Sequence, residues 1–135
     1  MWLMPSNSAT IAQVAPSLKY MEAHYAEHLR AEDLATACGM SEVHFRRLFK
    51  ENLDMVPMDY LNLIRIQKAC ALINRRDCSM EVVAESCGFS SLSTFTRNFR
   101  KYLNTTPYQW KLNKERSRRR LSDYEVSTQK GWEKL

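Results

Sequence analysis

The sequence predicts an all-α fold of about seven helices, in which two helix-turn-helix subdomains are joined by a long central helix. The main observation is an internal repeat: Leu-Ala-Thr-Ala-Cys-Gly-Met-Ser at residues 34–41 returns as Val-Ala-Glu-Ser-Cys-Gly-Phe-Ser at residues 83–90. Each copy places a short helix, a Cys-Gly turn and a serine that can cap a second helix. Further along the chain, Phe45, Arg47, Phe49, Leu53 and Pro57 return as Phe95, Arg97, Phe99, Leu103 and Pro107.

Composition supports the all-α class. The chain has three glycines and four prolines and lacks runs in which β-branched and polar residues alternate. With 135 residues, of which 44% are hydrophobic, it can bury a core without disulfides, as one compact domain or two small lobes. Its four cysteines, Cys38, Cys70, Cys78 and Cys87, form no Cys-x-x-Cys pair and no zinc spacing with histidine. We therefore expect free thiols, no metal ligands and no cofactor.

Charge and motifs restrict the function. The net charge of +5 fits a nucleic-acid partner, although many proteins with other functions carry this much. A glycine-rich phosphate loop, a nucleophile with His and acid partners, and paired carboxylates in apolar surroundings are all missing, so we expect no enzyme activity and no catalytic residues. The sequence has no secretory signal and no long apolar run. We therefore expect a cytoplasmic protein without a membrane partner.

The N-terminal part of the sequence predicts a flexible segment, here called the lead, followed by one helix. Residues 1–10 show no periodicity and are predicted to be flexible. An apolar stripe at three- and four-residue steps, from Ile11 to Leu29, predicts the helix. Because proline is tolerated in a first turn, we expect this helix to begin close to Pro16, with a kink of its first turns at Pro16 as the alternative. His24 and His28 lie one turn apart on this predicted helix, but no third ligand completes a metal site, so a solvated face is expected.

The first copy of the repeat predicts two helices. One covers residues 31–37 and ends at Gly39, which can adopt a positive φ. Ser41 caps the other, whose inner face contains Phe45 and Phe49. By its spacing, the outer face of this second helix is a narrow basic stripe formed by Val43, Arg46, Arg47 and Lys50.

A longer apolar helix, begun by Pro57, is predicted to join the two copies. At about 1.5 Å per residue it spans roughly 28 Å, enough to set the separation of two lobes. In the second copy Gly88 makes the turn and Ser90 caps a helix that buries its phenylalanines. The positions expected on the outer face of that helix are Leu92, Ser93, Thr96, Arg97 and Arg100.

A last short helix after Pro107 is predicted to end near residue 113. The composition then becomes basic and polar, and such a charge run is usually solvated, with an added phosphate contact as the alternative. The expected organisation therefore has five segments. They are the lead 1–10, a first subdomain 11–55, the linker helix 56–77, a second subdomain 78–113 and the tail 114–135.

The two Cys-Gly turns and their helices resemble the DNA-binding domain of the AraC/XylS family of bacterial transcription regulators. The resemblance covers residues 11–113. The chain departs from the family pattern at Asp54, where the family has Gly, and at Val56, where Ser or Thr precedes the proline; the lost cap costs about 1 kcal/mol. The resemblance is most specific in the second copy, at Gly88-Phe89, Phe95, Arg97, Phe99, Lys101 and Thr106-Pro107.

The resemblance implies that the second helix of each copy enters a major groove of double-stranded DNA, in successive grooves on one face of the duplex. Arginine can donate two hydrogen bonds to guanine there, and Leu or Val can contact a thymine methyl group. The base-reading residues implied in this way are Val43, Arg46, Arg47, Leu92, Ser93 and Thr96. Those implied to contact phosphate are Lys50, Thr94, Arg97 and Arg100.

The two copies are expected to differ in their contribution. The outer face of the first recognition helix is the more basic, so we expect it to carry most of the base discrimination. The offset between the copies changes by one residue, and we place this change between Ser41 and Phe45. Arg65, on the linker helix, is expected either in a structural ion pair or at a phosphate.

The family resemblance also implies partners. It indicates a sequence-specific regulator of bacterial transcription, associated with the nucleoid, that contacts RNA polymerase as an activator. It implies a sensor or dimerisation domain outside this chain, and we expect the chain to be part of a longer protein, with a stand-alone regulator as the alternative. A second class of function stays open, because helix-turn-helix folds also serve as protein-docking modules without sequence-specific DNA binding.

Overall fold

The computed structural model describes residues 8–75 and 77–120, which form seven helices and no strand. The all-α prediction is confirmed. Residues 1–7 of the predicted lead and 121–135 of the predicted tail lie outside the described residues. The helices are α1 (Ser8–His24), α2 (Ala31–Ala37), α3 (Glu42–Leu53), α4 (Pro57–Arg75), α5 (Met80–Ser86), α6 (Leu92–Leu103) and α7 (Pro107–Arg120).

The chain divides into two compact units at the middle of α4, between Arg65 and Ile66. The first unit packs α1, α2, α3 and the first half of α4 around one apolar core. Phe45 and Phe49 of α3 are fully buried in it, with ring centroids 5.5 Å apart. Tyr60 of α4 meets the Phe49 ring edge-on at 5.6 Å, a geometry that adds to the stabilisation from burial.

The second unit has an aromatic cluster of the same design, built from α5, α6, α7 and the second half of α4. Phe95 and Phe99 are fully buried, with ring centroids 5.7 Å apart. Trp110 of α7 meets Phe99 edge-on at 6.0 Å, as Tyr60 meets Phe49 in the first unit. The repeat in the sequence is therefore also a repeat in packing.

The start of α1 differs from the prediction. The helix begins at Ser8, and Pro16 lies inside it rather than at its first turn. Val14 and Met21, on either side of the proline, are fully buried. The Ser17 hydroxyl donates a hydrogen bond to the Val14 carbonyl over 2.6 Å. Burial of the apolar stripe therefore outweighs the local cost of a proline within the helix.

The end of α1 also differs, because the helix stops at His24 instead of continuing to Leu29. A turn follows, in which the Glu27 N–H donates to the His24 carbonyl over 2.9 Å. The His24 ring bonds to Glu27 as well, Nδ1 to Oε2, at 2.5 Å. His28 lies beyond the helix, so the two histidines do not share a helical face.

Arg65 of α4 holds this turn in place. Its side chain is 9% exposed, and its Nε donates to the Tyr25 carbonyl over 2.7 Å. Its Nη2 donates to the Glu27 carbonyl over 2.9 Å. Neither alternative expected from the sequence, an ion pair or a phosphate contact, included these backbone acceptors. The guanidinium therefore satisfies two carbonyl groups of the turn that follows α1.

The turns into α3 and α6 differ by one residue, and the predicted cap of α6 was wrong. Its N-cap is Ser91, not Ser90, and the Ser91 hydroxyl accepts the Thr94 N–H over 3.1 Å. Ser41 caps α3 in the same way through the His44 N–H, over 3.2 Å. The extra residue is therefore Ser90, within the turn. The two helices are in register from their caps onward. The expected change of offset between Ser41 and Phe45 is therefore wrong, because the change occurs before the caps.

The last helix is longer than predicted, since α7 continues through the first part of the basic segment to Arg120. Lys114 is only 8% exposed, and its Nζ lies 5.8 Å from the centre of the Trp110 ring. Lys111 forms an ion pair with Asp77, 3.2 Å from Nζ to Oδ1. Long basic side chains can bury their stems on apolar surface, so composition alone misplaced the end of this helix.

Candidate nucleic-acid interface

The outer face of α3 is fixed by what the inner face buries. Phe45, Leu48 and Phe49 point into the core. A helix periodicity of 3.6 residues then places the remaining positions toward solvent, and one of them, Val43, is 80% exposed. The exposed side chains that the sequence predicted for this face are Val43, Arg46, Arg47 and Lys50.

Arg46 forms an ion pair along the helix with Glu42, one turn earlier. Its Nε and Nη2 both donate to Glu42 Oε2, over 2.9 and 2.5 Å. The Arg46 and Glu42 side chains are 56% and 42% exposed, and such a pair in water contributes only about 0.3–0.5 kcal/mol. The sequence analysis did not select Glu42, although a Glu four residues before an Arg is a recognisable pattern.

Arg47 is also oriented by a neighbour. Its Nη2 lies 3.1 Å from His44 Nδ1. Since a guanidinium only donates hydrogen bonds, Nδ1 is the acceptor in this contact. Both side chains lie on the N-terminal two turns of α3, beside Arg46.

The outer face of α6 is built differently. Leu92, its first residue, is 37% exposed. Thr94 is half-buried and belongs to the cap, because its hydroxyl accepts a hydrogen bond from the Ser91 hydroxyl over 3.1 Å. Thr96 is half-buried as well. The other predicted side chains of this face, all exposed, are Ser93, Arg97 and Arg100.

The shared register lets the two faces be compared position by position. Two outer positions are basic in both helices, with Arg47 and Lys50 matched by Arg97 and Arg100. In the N-terminal halves they differ, since the Glu42 and Arg46 of α3 correspond to Leu92 and Thr96 of α6. The equivalent pairs are Glu42 and Leu92, Val43 and Ser93, Arg46 and Thr96, Arg47 and Arg97, and Lys50 and Arg100.

The charge balance of the whole helices adds to this comparison of their outer faces. α3 carries three basic and two acidic side chains, whereas α6 carries three basic and no acidic ones. The first helix is therefore not the more basic of the two over its full length. What distinguishes α3 is that its N-terminal half contains both a cation and an anion, which are paired with each other.

The described part of the chain has neither a metal site nor a membrane-spanning helix. No group of three His, Cys, Asp or Glu side chains there could hold a metal ion, and no helix there has the length and apolar character to cross a membrane. The cysteines are free thiols, and Cys87 is buried whereas Cys38 is half-buried. Burial, with a smaller effect of Cys87, raises the pKa of the Cys70 thiol to about 12, which Lys114 partly offsets. Such a thiol is a structural one.

The fold and the repeated helix pairs match a known family. A family model described as a helix-turn-helix domain matches residues 34–113. A crystal structure of a transcriptional regulator with an AraC-type DNA-binding domain, from Chromobacterium violaceum, is 30% identical and has a TM-score of 0.72, covering 78% of this chain and 95% of that one. The chain belongs to the AraC/XylS family of transcription regulators. It is a DNA-binding domain of the AraC type.

The chain is similar to two further transcription factors. The DNA-binding domain of AdpA, a global transcriptional factor solved in complex with a target DNA, is 27% identical with a TM-score of 0.75, covering 81% of this chain and 98% of that one. The probable transcription factor PqrA of Proteus vulgaris is 33% identical over 98 residues, which are 71% of this chain and 80% of PqrA. DNA binding and regulation of transcription are therefore the function of this domain at the level of its family.

Relatives differ greatly in length. An HTH-type transcriptional regulator of Bacillus subtilis, YdeC, is 33% identical over 94 residues, which are 70% of this chain but 32% of YdeC. For HTH-type regulators of Staphylococcus aureus the matched part is 12% of the relative. The chain thus spans about a third or less of several relatives that it matches, and most of PqrA.

Proposed function

We propose that this domain binds specific sequences of double-stranded DNA with α3 and α6 in successive major grooves, and thereby regulates bacterial transcription. The observation that carries the proposal is the common design of the two helices. Each is capped by a serine, buries two phenylalanines and presents equivalent positions on its outer side. The complex of the related AdpA domain with a target DNA supports the same kind of partner.

The proposed contacts of α3 follow from its side chains. Arg46, on the N-terminal half, is suited to donate two hydrogen bonds to guanine, and Val43 to contact a thymine methyl group. Arg47 also lies within reach of base edges in this assignment, although its equivalent in α6, Arg97, is assigned to phosphate. Lys50, one turn further along, is suited to phosphate.

The proposed contacts of α6 discriminate less sharply between bases. Leu92, Ser93 and Thr96 offer one apolar group and two hydroxyls to the bases, so sequence-dependent DNA shape contributes more here. Arg97 and Arg100 are suited to phosphates. Thr94 can add a hydrogen bond to phosphate, because its hydroxyl accepts from Ser91 and its own proton is still available.

Regulation of transcription requires partners besides DNA. We propose a cytoplasmic protein associated with the nucleoid, which contacts RNA polymerase as an activator. A sensor or dimerisation domain elsewhere in a longer protein would supply the response to a signal. These partners are consistent with relatives that are much longer than the matched segment.

The direct test is selection of a binding site from random duplexes, followed by titration of the selected duplex at several salt concentrations. With about six phosphates contacted, log affinity should fall against log salt with a slope of about −5. A selected consensus and this slope would support the proposal. A slope near zero, or no duplex binding at about 50 mM salt, would instead leave the protein-docking function as the better explanation.

Two arginine variants separate the proposed roles. Arg46→Ala should weaken binding to the selected site by about 1–3 kcal/mol and relax one base position. Arg97→Ala should weaken binding to all sequences alike and reduce the salt slope by about one. Lys19→Ala, which removes an exposed charge from α1, is the matched control and should leave both measurements unchanged. Equal weakening of every sequence by Arg46→Ala would rule out its role as a base reader.

A further inference from the structure

We infer that Glu42 is a specificity-determining residue of the proposed DNA site. Its carboxylate presents the end of the Arg46 guanidinium to a guanine, and it also accepts a hydrogen bond from a neighbouring cytosine. The inference rests on the proposed function of α3. It begins from an unexpected feature, an acidic side chain in the first turn of a helix whose proposed ligand is a polyanion. Such a residue is repelled by the phosphates and weakens DNA binding wherever it makes no compensating contact with a base.

The geometry of the pair decides which donors of Arg46 stay available. A guanidinium has five N–H donors in a planar fork. Glu42 Oε2 takes the Nε hydrogen and one Nη2 hydrogen. The two hydrogens on Nη1 and the second on Nη2 are left. The ends of Nη1 and Nη2 form the edge that can donate to both O6 and N7 of guanine, so the ion pair selects this edge for the base.

The same pair leaves one acceptor on Glu42. Only Oε2 bonds to Arg46, so Oε1 can accept a hydrogen bond from a base. In the major groove, cytosine offers its N4 amino group as a donor with no acceptor of its own beside it. Guanine and thymine present acceptors that repel the carboxylate, and adenine places its N7 acceptor next to its N6 amino donor. The pair therefore combines a donor edge for guanine with an acceptor for cytosine, and α3 reads two bases with one linked group.

Burial in the groove should strengthen this pair. In water the ion pair is exposed and weak. When the helix enters the groove, water is displaced and the effective dielectric constant falls, so the attraction between Glu42 and Arg46 increases. The surrounding phosphates also repel the carboxylate and make Arg46 its favoured partner. α6 has no such pair, because Leu92 and Thr96 occupy the equivalent positions.

The test compares Glu42→Ala and Glu42→Gln with the unchanged domain on three duplexes. One is the selected site, one carries adenine in place of the guanine assigned to Arg46, and one is unrelated in sequence. Both variants should lose about tenfold in discrimination between the first two duplexes. Affinity for the unrelated duplex should rise a few-fold, because a negative charge near the phosphates is removed. Site selection with Glu42→Ala should also relax a neighbouring cytosine.

Glu51→Ala is the matched control, since it removes an exposed carboxylate from the same helix and Glu51 has no bond to Arg46. It should raise affinity for all three duplexes by one factor and leave discrimination unchanged. On the background of Arg46→Ala, the change Glu42→Ala should no longer alter discrimination. Circular dichroism and thermal unfolding of each variant show whether it is folded.

The outcomes separate the two proposals. If the unchanged domain shows neither a selected site nor a steep salt slope, the proposed function fails and the role of Glu42 fails with it. If the domain is specific but folded Glu42→Ala and Glu51→Ala raise all affinities equally, Glu42 acts only through its charge and the inference is overturned. Loss of discrimination in Glu42→Ala that persists on the Arg46→Ala background would also overturn the coupling between these residues.

Discussion

At the scale of single residues, Arg65 shows how a buried cation can be structural in a basic DNA-binding domain. Its guanidinium donates to two backbone carbonyls of the segment after α1, those of Tyr25 and Glu27. These acceptors are 40 and 38 residues away in the sequence, so the bonds connect α4 to the end of α1. Hydrogen bonds to a charged group stabilise a fold more than neutral ones do.

We predict that Arg65→Met lowers the free energy of unfolding by about 2–4 kcal/mol, because the two carbonyls lose charge-assisted hydrogen bonds. Urea unfolding followed by circular dichroism measures this change. The free energy of unfolding of Arg65→Lys, whose ammonium group has fewer donors, should lie between those of the unchanged domain and Arg65→Met. The salt slope of DNA binding should stay the same in folded Arg65→Met, which removes the charge, and a slope lower by about one would instead assign Arg65 to phosphate.

At the scale of helices, the two units give matched pairs of ends. Ser41 and Ser91 cap α3 and α6 in the same way, and both helices end at a residue with φ near +59°, Asp54 and Asn104. Asp and Asn tolerate this left-handed conformation better than most residues other than glycine, so the departure of Asp54 from the family's Gly is accommodated. The following helices, α4 and α7, both begin at a proline.

One pair of ends is unequal, and this yields a prediction about helix capping. Thr106 caps α7, since its hydroxyl accepts the Gln109 N–H over 3.1 Å, whereas Val56 offers α4 only its backbone carbonyl. Val56→Thr should stabilise the domain by about 1 kcal/mol, and Thr106→Val should destabilise it by a similar amount. Thermal unfolding measures both. Changes of the same sign in the two variants would contradict a capping effect.

At the scale of the whole molecule, each unit has its own apolar core. The core of the first unit contains Phe45 and Phe49, that of the second contains Phe95 and Phe99, and the two cores share no residue. α4 supplies residues to both, with Ile64 in one and Ile66 in the other. Local contacts within a unit therefore dominate its stability.

This separation predicts unequal responses to core truncation. Phe49→Ala should cost about 3–5 kcal/mol and accelerate amide hydrogen exchange mainly in α1, α2 and α3. Phe99→Ala is its counterpart and should act mainly on α5, α6 and α7. Hydrogen exchange followed by mass spectrometry distinguishes the two patterns. Equal acceleration in both units by either variant would mean that the units unfold together.

The proposed site combines what local sequence determines with what it does not. The outer positions of α3 and α6 follow from helical periodicity, so Val43, Arg46 and Arg97 could be predicted as surface residues. The hydrogen-bond partners of those side chains could not be assigned from periodicity. The ion pair of Glu42 with Arg46 was visible as a spacing, but its geometry, two donors on one oxygen, comes only from the structure.

By itself, the sequence determined the class of the fold, the duplicated helix-turn-helix and the faces of its helices, because caps, turns and periodicity depend on residues within a few positions of one another. Tertiary structure decided the rest. It carried α1 through Pro16, extended α7 past residue 113 and directed Arg65 to backbone carbonyls. Each of these features depends on burial against residues that are distant in the chain. The free energy gained by this burial exceeds the free-energy cost of overriding local conformational preferences.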